Sequence, residues 1–213
     1  MFSYCRNSPA NCSDPFGCRP AWERGLGNSI IEYTDSGTGG TYRRMCAVNY
    51  AKEFSHSSNS EYYSYKTDCA NFVSQCLRAG GILPTKEWHM NKTRKTYWYN
   101  PAAWFSQNYR YNWDVGPAGS LAQNQFDYFS NLPGNSSFRL DSSEDIHNFI
   151  CSQGVKPGDL LYFANENGVH HATIITKVDD QMIYYAGHTR SQFDEPLGPH
   201  MGSDFVYIVK ISD

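Results

Sequence analysis

The chain changes its hydrophobic period once, and that change limits what it can fold into. In the first two thirds, the apolar residues that show any order recur at helical spacing. From residue 158 onward they fall in short β-branched and aromatic stretches. GDLLYFA (158–164), HHATIITKV (170–178), QMIYYAGH (181–188) and FVYIVKI (205–211) are four such runs, with turn formers between them. Helices first and strands afterwards specify an α+β domain in which N-terminal helices pack on a C-terminal antiparallel sheet. A chain of 213 residues suffices for one domain with a real core and a short appendage.

In the helical part, Tyr42, Cys46, Tyr50 and Phe54 form an i, i+4 stripe that predicts a helix over about 42–54. Phe72, Val73, Cys76 and Leu77 make one apolar face of a second helix. Thr67 or Asp68 is its N-cap and Gly80-Gly81 stops it. Phe126-Asp127-Tyr128-Phe129 suggests a third helix. Asp141 to Asp145 opens a fourth that runs to about Cys151, with Ser142 and Asp145 spaced as a capping pair. The rest of 84–150 is irregular and punctuated by Trp88, Trp98, Trp104 and Trp113, two of which are expected in the core. Glycines at 25, 27, 37, 39 and 40 mark 21–42 as a linker, and residues 1–20 are rich in turn formers.

A formal charge of −3 and a pI near 6.1 argue against a nucleic-acid partner. No run of 18 apolar residues offers a membrane span, and the first residues lack the apolar core of a secretory signal. The 16 Tyr, 12 Phe and 5 Trp suit a groove for a polymer or peptide. Of seven cysteines, six remain for as many as three disulfides if Cys69 is a free nucleophile. Cys76, on the apolar helix face, reads as a small buried hydrophobe, and the cysteine count leaves the compartment open.

Cys69 falls on the first turn of the second helix, over unpaired N–H groups and the positive end of the helix dipole. Both favour a thiolate and a pKa below the free value of about 8.5. The base comes from the strand 170–178. His170 and His171 are adjacent, so strict alternation lets only one face Cys69. If Asp179-Asp180 is a two-residue hairpin loop, Val178 opposes Gln181, and counting outward pairs His171 with His188. Their Cβ atoms then lie roughly 4.5–5.5 Å apart on one face. This predicts a Cys69–His171–His188 triad: nucleophile, base and orienter. Asn165 or Asn167 could serve as orienter instead of His188. The Cys69 N–H can supply one oxyanion donor, with Tyr65 or Tyr62 as the second and Gln75 as a further candidate contact to substrate. Cys69, His171 and His188 are also metal-ligand types, but no clear fourth ligand accompanies them, so neither metal nor cofactor is expected. Asp159 reads as a strand-entry turn residue.

These residues resemble the putative amidase domain of the papain-like (clan CA) cysteine hydrolases. Asp68, Cys69, Asn71, Phe72, Val73, Ser74, Gln75, Cys76, Gly80 and Gly81 match the family's cysteine segment, with Ala70 in place of the commoner Thr. His171 with Ile174, Ile175 and Thr176 matches its histidine motif in phase, whereas His170 does not, and His188-Thr189 matches its third motif. The likeness covers about 43–213 and extends to CHAP-like cell-wall peptidases, some of which use a Cys-His-His triad. It implies a papain-like fold and hydrolysis of amide or peptide bonds. Residues 1–20 resemble the end of an RHS (YD-repeat) core through Tyr4, Cys5, Asn7, Pro9, Asn11, Asp14, Pro15 and Gly17, departing from it at Cys18. That likeness implies a toxin tip secreted from an RHS shell into a neighbouring cell, with peptidoglycan as substrate and an immunity protein as partner. A protease, deamidase or acyltransferase acting on cytosolic proteins is the first alternative. A catalytically silent binding module with an aromatic groove is the second.

Overall fold

The computed structural model describes residues 41–97, 109–141, 146, 148–150, 152, 154–179, 182–198 and 205–212. The RHS-like segment, the Gly-rich linker up to residue 40, Trp98, Trp104 and the capping pair Ser142 and Asp145 lie outside these residues. Two helices come first, α1 (Arg44–Phe54) and α2 (Cys69–Ala79). A two-stranded antiparallel ribbon follows, β1 (Met90–Tyr97) and β2 (Tyr109–Val115), then α3 (Pro117–Ser120) and α4 (Ala122–Ser130). The strands β3 (Ser136–Leu140), β4 (Leu160–Asn165), β5 (Gly168–Val178), β6 (Ile183–Gly187), β7 (Gln192–Pro196) and β8 (Phe205–Lys210) form one sheet in the order β3-β8-β4-β5-β6-β7. Every neighbouring pair in it is antiparallel, so the α+β architecture is observed as expected.

The four strand runs correspond to β4, β5, β6 and β8. The ribbon and the two edge strands β3 and β7 escape sequence reading. MNKTRKTY in β1 has no apolar alternation, and QFDEP in β7 looks like a turn. The edge strands form because a central strand offers them unpaired backbone groups.

The helix α2 is buried along its length, from Cys69 to Arg78. Its apolar side chains Phe72, Val73, Cys76 and Leu77 are fully covered and pack with Leu160, Tyr162, Ala172, Ile174 and Ala186 on one face of the sheet. Each such large side chain contributes roughly 1.5–3 kcal/mol. Asn71, Ser74 and Gln75 of the same helix are buried too, and each of these three is bonded. Ser74 Oγ accepts from Trp88 Nε1 (2.9 Å) and Gln125 Nε2 (2.7 Å), and Gln75 Oε1 accepts from the Tyr50 hydroxyl (2.7 Å). Polar residues in a buried helix survive only when satisfied in this way. The opposite sheet face carries a second cluster around Leu161, Phe163, Ile175, Tyr185 and Ile208.

The hairpin register differs from expectation, and the difference decides which side chains share a face. Asp179, not Val178, closes the β5–β6 turn: its N–H donates to Met182 O (3.0 Å) and its Oδ1 accepts from Met182 N–H (2.9 Å). Val178 therefore pairs with Ile183. That shift of two residues would preserve the faces. A bulge at Thr176 then adds one residue to β5, so Ile175 pairs with Tyr185 and Ile174 with Ala186. Thr176 Oγ1 donates to Asp194 Oδ1 (2.6 Å), where β7 has its own irregularity and Asp194 has φ 54°. Continued outward, the ladder sets Thr189 rather than His188 opposite His171. The expected direct His171–His188 pair is thereby corrected. A second bulge, at His170, interrupts the alternation between Val169 and His171.

Asp159 is the tie between α1 and the sheet. Its carboxylate accepts from Arg44 Nη1 (2.6 Å), Lys156 N–H (2.8 Å) and Ile211 N–H (3.0 Å). Arg44 Nη2 also donates to the Ile211 carbonyl, and the Tyr42 hydroxyl donates to Gly158 O (2.8 Å). Gly158 is required there: its φ is +91°, and a Cβ would stand 3.0 Å from Arg44 Cβ. Asp159 is thus a strand-entry residue, as expected, with a buried ion pair added. Asp159→Asn leaves the guanidinium without its charge partner. It should lower unfolding free energy by about 3 kcal/mol or more in urea titration; a loss under about 1 kcal/mol would contradict the role given to this pair.

Candidate active site

The nucleophile candidate sits where α2 meets the sheet. Cys69 is the first residue of α2, 9% exposed, and its thiol is free. The N–H groups of Ala172 in β5, of Ala70 and of Cys69 itself reach the sulfur and favour its thiolate. They are outweighed. Burial is the largest influence and, with the Asp68 charge, leaves the thiol pKa above its ordinary value. The expectation of a lowered pKa from the helix dipole is corrected on this point: desolvation wins over the dipole in the resting protein. Cys76, one helical face deeper, is fully buried and its pKa is pushed well up. It is the buried hydrophobe the sequence suggests. Cys46 is disulfide-bonded.

Asp68 stands at the N-cap position, but its side chain does not cap α2. Its Oδ1 accepts from Tyr65 N–H (2.9 Å) and Asn71 Nδ2 (2.8 Å). Its Oδ2 lies 2.9 Å from His188 Nδ1. The other nitrogen of His188, Nε2, lies 2.7 Å from the carbonyl oxygen of Phe54 at the end of α1, and its ring stacks on Phe72 at 4.1 Å and 19°. Both ring nitrogens face acceptors. His188 thus joins α1, α2 and the end of β6. It does not contact His171.

His171 lies on the other face of the sheet from the body of α2. It pairs with Phe163, whose ring centroid is 5.8 Å away, and its Nε2 is beside Gly187, where a Cβ would come within 3.4 Å. Burial lowers its pKa to about 4, helped by the charges of His170 and Arg190. Neither ring nitrogen bonds to a described residue, so both are open to a proton. The link to Cys69 runs through the backbone: the N–H on the sulfur belongs to Ala172, the residue after His171.

The remaining candidates separate. Gln75 is six residues along α2 from Cys69, a rise of roughly 9 Å, and its Oε1 is taken by Tyr50; it is withdrawn as an oxyanion contact. Tyr65 stays close to the nucleophile through its N–H on Asp68, and its hydroxyl bonds Ser120. Burial raises its pKa, which keeps the hydroxyl a donor. Tyr62 donates its N–H to Asn59 O (3.1 Å) in the preceding loop. Asn165 and Asn167 are engaged with each other, Asn165 Oδ1 accepting from Asn167 N–H (2.8 Å). Sequence reading missed the Asp68–His188 pair, although a charged residue adjoining the cysteine was a usable signal. Among the described residues no cluster of three or more His, Cys, Asp or Glu could hold a metal ion, and no helix is long and apolar enough to cross a membrane.

A family model described as "Putative amidase domain" matches residues 41–209. Two curated proteins of Bacillus subtilis (strain 168) are similar. The uncharacterized protein YhbB is 29% identical over 163 residues, which are 72% of this chain and 45% of that protein. The uncharacterized protein YjcM is 28% identical over 156 residues, 73% of this chain and 32% of that protein. The chain thus spans less than half the length of either relative. No solved structure matches it.

Two pH dependences follow. With its pKa raised, Cys69 should react slowly with iodoacetamide at pH 7, and its rate should still be climbing at pH 9. A plateau reached near neutrality would show a stabilised thiolate instead. His171 binds a proton less readily folded than unfolded, so the unfolded state takes up protons first as pH falls from 6.5 to about 4. Its contribution to stability is present above pH 6.5 and is lost across that window, by roughly 3 kcal/mol at most. His171→Gln should flatten this part of the stability–pH curve.

Proposed function

Because the chain belongs to the putative amidase domain family, we propose that it hydrolyses amide bonds with Cys69 as nucleophile and His171 as base. The observation that supports this reading is the packing of the start of α2 on β5, with Cys69 and Ala172 in one core cluster and the Ala172 N–H favouring the thiolate. The ring nitrogens of His171, bonded to none of the described residues, support it. The helix-on-antiparallel-sheet layout supports a papain-like arrangement.

Thiol and imidazole are both neutral at rest, so proton transfer accompanies attack. In this reading the thiol proton reaches His171 through an intervening water as the sulfur bonds to the amide carbon, because the His171 ring is not in contact with the sulfur. The Cys69 N–H at the start of α2 serves the developing oxyanion as one donor, with the Tyr65 hydroxyl as the second. His171, holding its proton weakly, then gives it to the leaving nitrogen, and the C–N bond breaks to leave a thioester on Cys69. Water, deprotonated by His171, attacks that thioester; the carboxylic acid leaves and the thiol is restored. His188 does not orient His171 in this scheme. It bonds Asp68 and fixes the start of α2.

The substrate we propose is an amide or peptide bond of peptidoglycan. The setting is a toxin tip carried by an RHS shell and held in check by an immunity protein; the turn-rich motif in residues 1–20 supports that setting. Cys69→Ala should reduce hydrolysis of a peptidoglycan digest at least about 10³-fold while leaving the circular dichroism spectrum intact. Mass spectrometry of the muropeptides identifies the bond. Lysis only on periplasmic expression fits a cell-wall substrate, cytoplasmic toxicity alone points to protein substrates, and equal effects of wild type and Cys69→Ala would sink the enzymatic reading.

A further inference from the structure

Three aromatic side chains lead over the surface from the residue before the candidate nucleophile. The first is Tyr65, whose N–H donates to Oδ1 of Asp68 (2.9 Å), the neighbour of Cys69 in the chain. Its ring meets that of Tyr63 edge to face, with centroids 4.6 Å apart and planes at 69°. Tyr63 meets Trp113 of β2 in the same manner, at 6.3 Å and 62°. The strip is thus built from the loop before α2 and from the ribbon β1–β2. Its backbone is fixed on both sides. Tyr63 O accepts from Asn71 Nδ2 (2.8 Å), and Trp113 stands opposite Lys92 in the ribbon ladder. The strip is nevertheless left open. Among the described residues the exposed large hydrophobic side chains are Met45, Tyr63 and Leu121, and Tyr63, 46% exposed, is the aromatic one. Leu121 follows Ser120, which bonds the Tyr65 hydroxyl. A fixed backbone that presents an aromatic ring to solvent beside a nucleophile marks a place where a ligand completes the packing.

The charged groups in contact with these rings are compensated. Lys92 Nζ lies 5.5 Å from the centre of the Trp113 ring and 3.5 Å from Glu61 Oε2, and Asp68 is held by His188. The strip therefore offers apolar ring surface bordered by hydrogen-bonding groups, with no net charge to meet an ion. Its complement is a neutral ligand with a flat C–H face and a polar edge, which describes a pyranose ring. The C–H groups of a sugar face carry slight positive charge and rest on the negative face of an aromatic ring. Hydroxyl and acetamide groups at the sugar edge meet the polar rim. We propose that Tyr63 and Trp113 form a carbohydrate subsite that seats an N-acetylated glycan strand next to the amide that Cys69 attacks. The substrate class is then a peptide carried on a glycan. Naming the sugar as an N-acetylhexosamine rests on the peptidoglycan reading above; the stacking site itself does not.

The test uses the tetramer of N-acetylglucosamine as probe and the full chain carrying Cys69→Ala, so that binding is read without turnover. Calorimetric titration should give saturable binding that 1 M salt changes by less than about 2-fold, because the ligand is neutral. Tyr63→Ala and Trp113→Ala should each weaken it about 3- to 10-fold, and Tyr63→Phe should keep it, since the ring face and not the hydroxyl makes the contact. Tyr63 is exposed, so an unchanged thermal transition in Tyr63→Ala separates lost affinity from lost structure. A stem pentapeptide without sugar is titrated in parallel and should bind the variants no more weakly than the parent. If the pentapeptide loses affinity in the variants while the tetramer fails to bind, the strip is a peptide site and the carbohydrate proposal is overturned. Tetramer affinity unchanged in both Tyr63→Ala and Trp113→Ala overturns it as well. No tetramer binding, with Cys69-dependent hydrolysis intact, removes the subsite and leaves the proposed reaction standing. Tetramer binding lost in the variants, with no Cys69-dependent hydrolysis, supports the subsite and removes the reaction.

Discussion

The contact on which the site depends is the ion pair between Asp68 and His188. It lies at the junction of three elements that are far apart in sequence, with Asp68 before α2, His188 after β6 and the Phe54 carbonyl at the end of α1. Each partner removes a problem left by another. The end of α1 leaves carbonyls without helical partners, and His188 takes one. A buried ion pair is costly unless its remaining polar atoms are bonded, and Tyr65 N–H and Asn71 Nδ2 complete the carboxylate. Stacking on Phe72 covers the ring.

That arrangement explains the residues of the cysteine segment better than catalysis alone does. Asn71 fixes Asp68 and also donates to Tyr63 O (2.8 Å), holding the loop before α2. Ser74 and Gln125 form a buried hydrogen-bonded set that includes the Ala70 carbonyl (2.8 Å) and links α2 to α4. Gln75 anchors α1 through Tyr50, which also accepts from Asn59 Nδ2 (2.9 Å). Of the two free thiols in this stretch, Cys76 is fully covered and Cys69 stands at the helix start, and the rest of the motif holds the helix that presents it.

Both bulges of β5 lie close to the candidate chemistry. The one at His170 breaks alternation just before His171, and the one at Thr176 changes which face meets α2. Together they put His188 with the helices and His171 on the face of Phe163 and Tyr185. The two histidines therefore do separate work: His188 belongs to the frame around Asp68, and His171 to the face of the second core cluster, beside Gly187. Bulges beside active sites commonly re-aim a side chain in this way.

By itself the sequence determined the α+β class, the helix carrying Cys69, the four main strands and the identities of Cys69, His171 and His188 as notable residues. Those features rest on local periodicity, on glycine stops and on a motif with distinctive spacing, all carried by neighbouring residues. Tertiary structure alone decided the partners. Whether His188 meets His171 or Asp68 depends on one extra residue in β5, and nothing in TIITKV marks Thr176 as a bulge until Asp194 comes across to bond it. The sign of the Cys69 shift likewise could not be read locally. A helix N-terminus favours the thiolate, but the burial that outweighs it comes from packing α2 against a sheet formed about a hundred residues later in the chain.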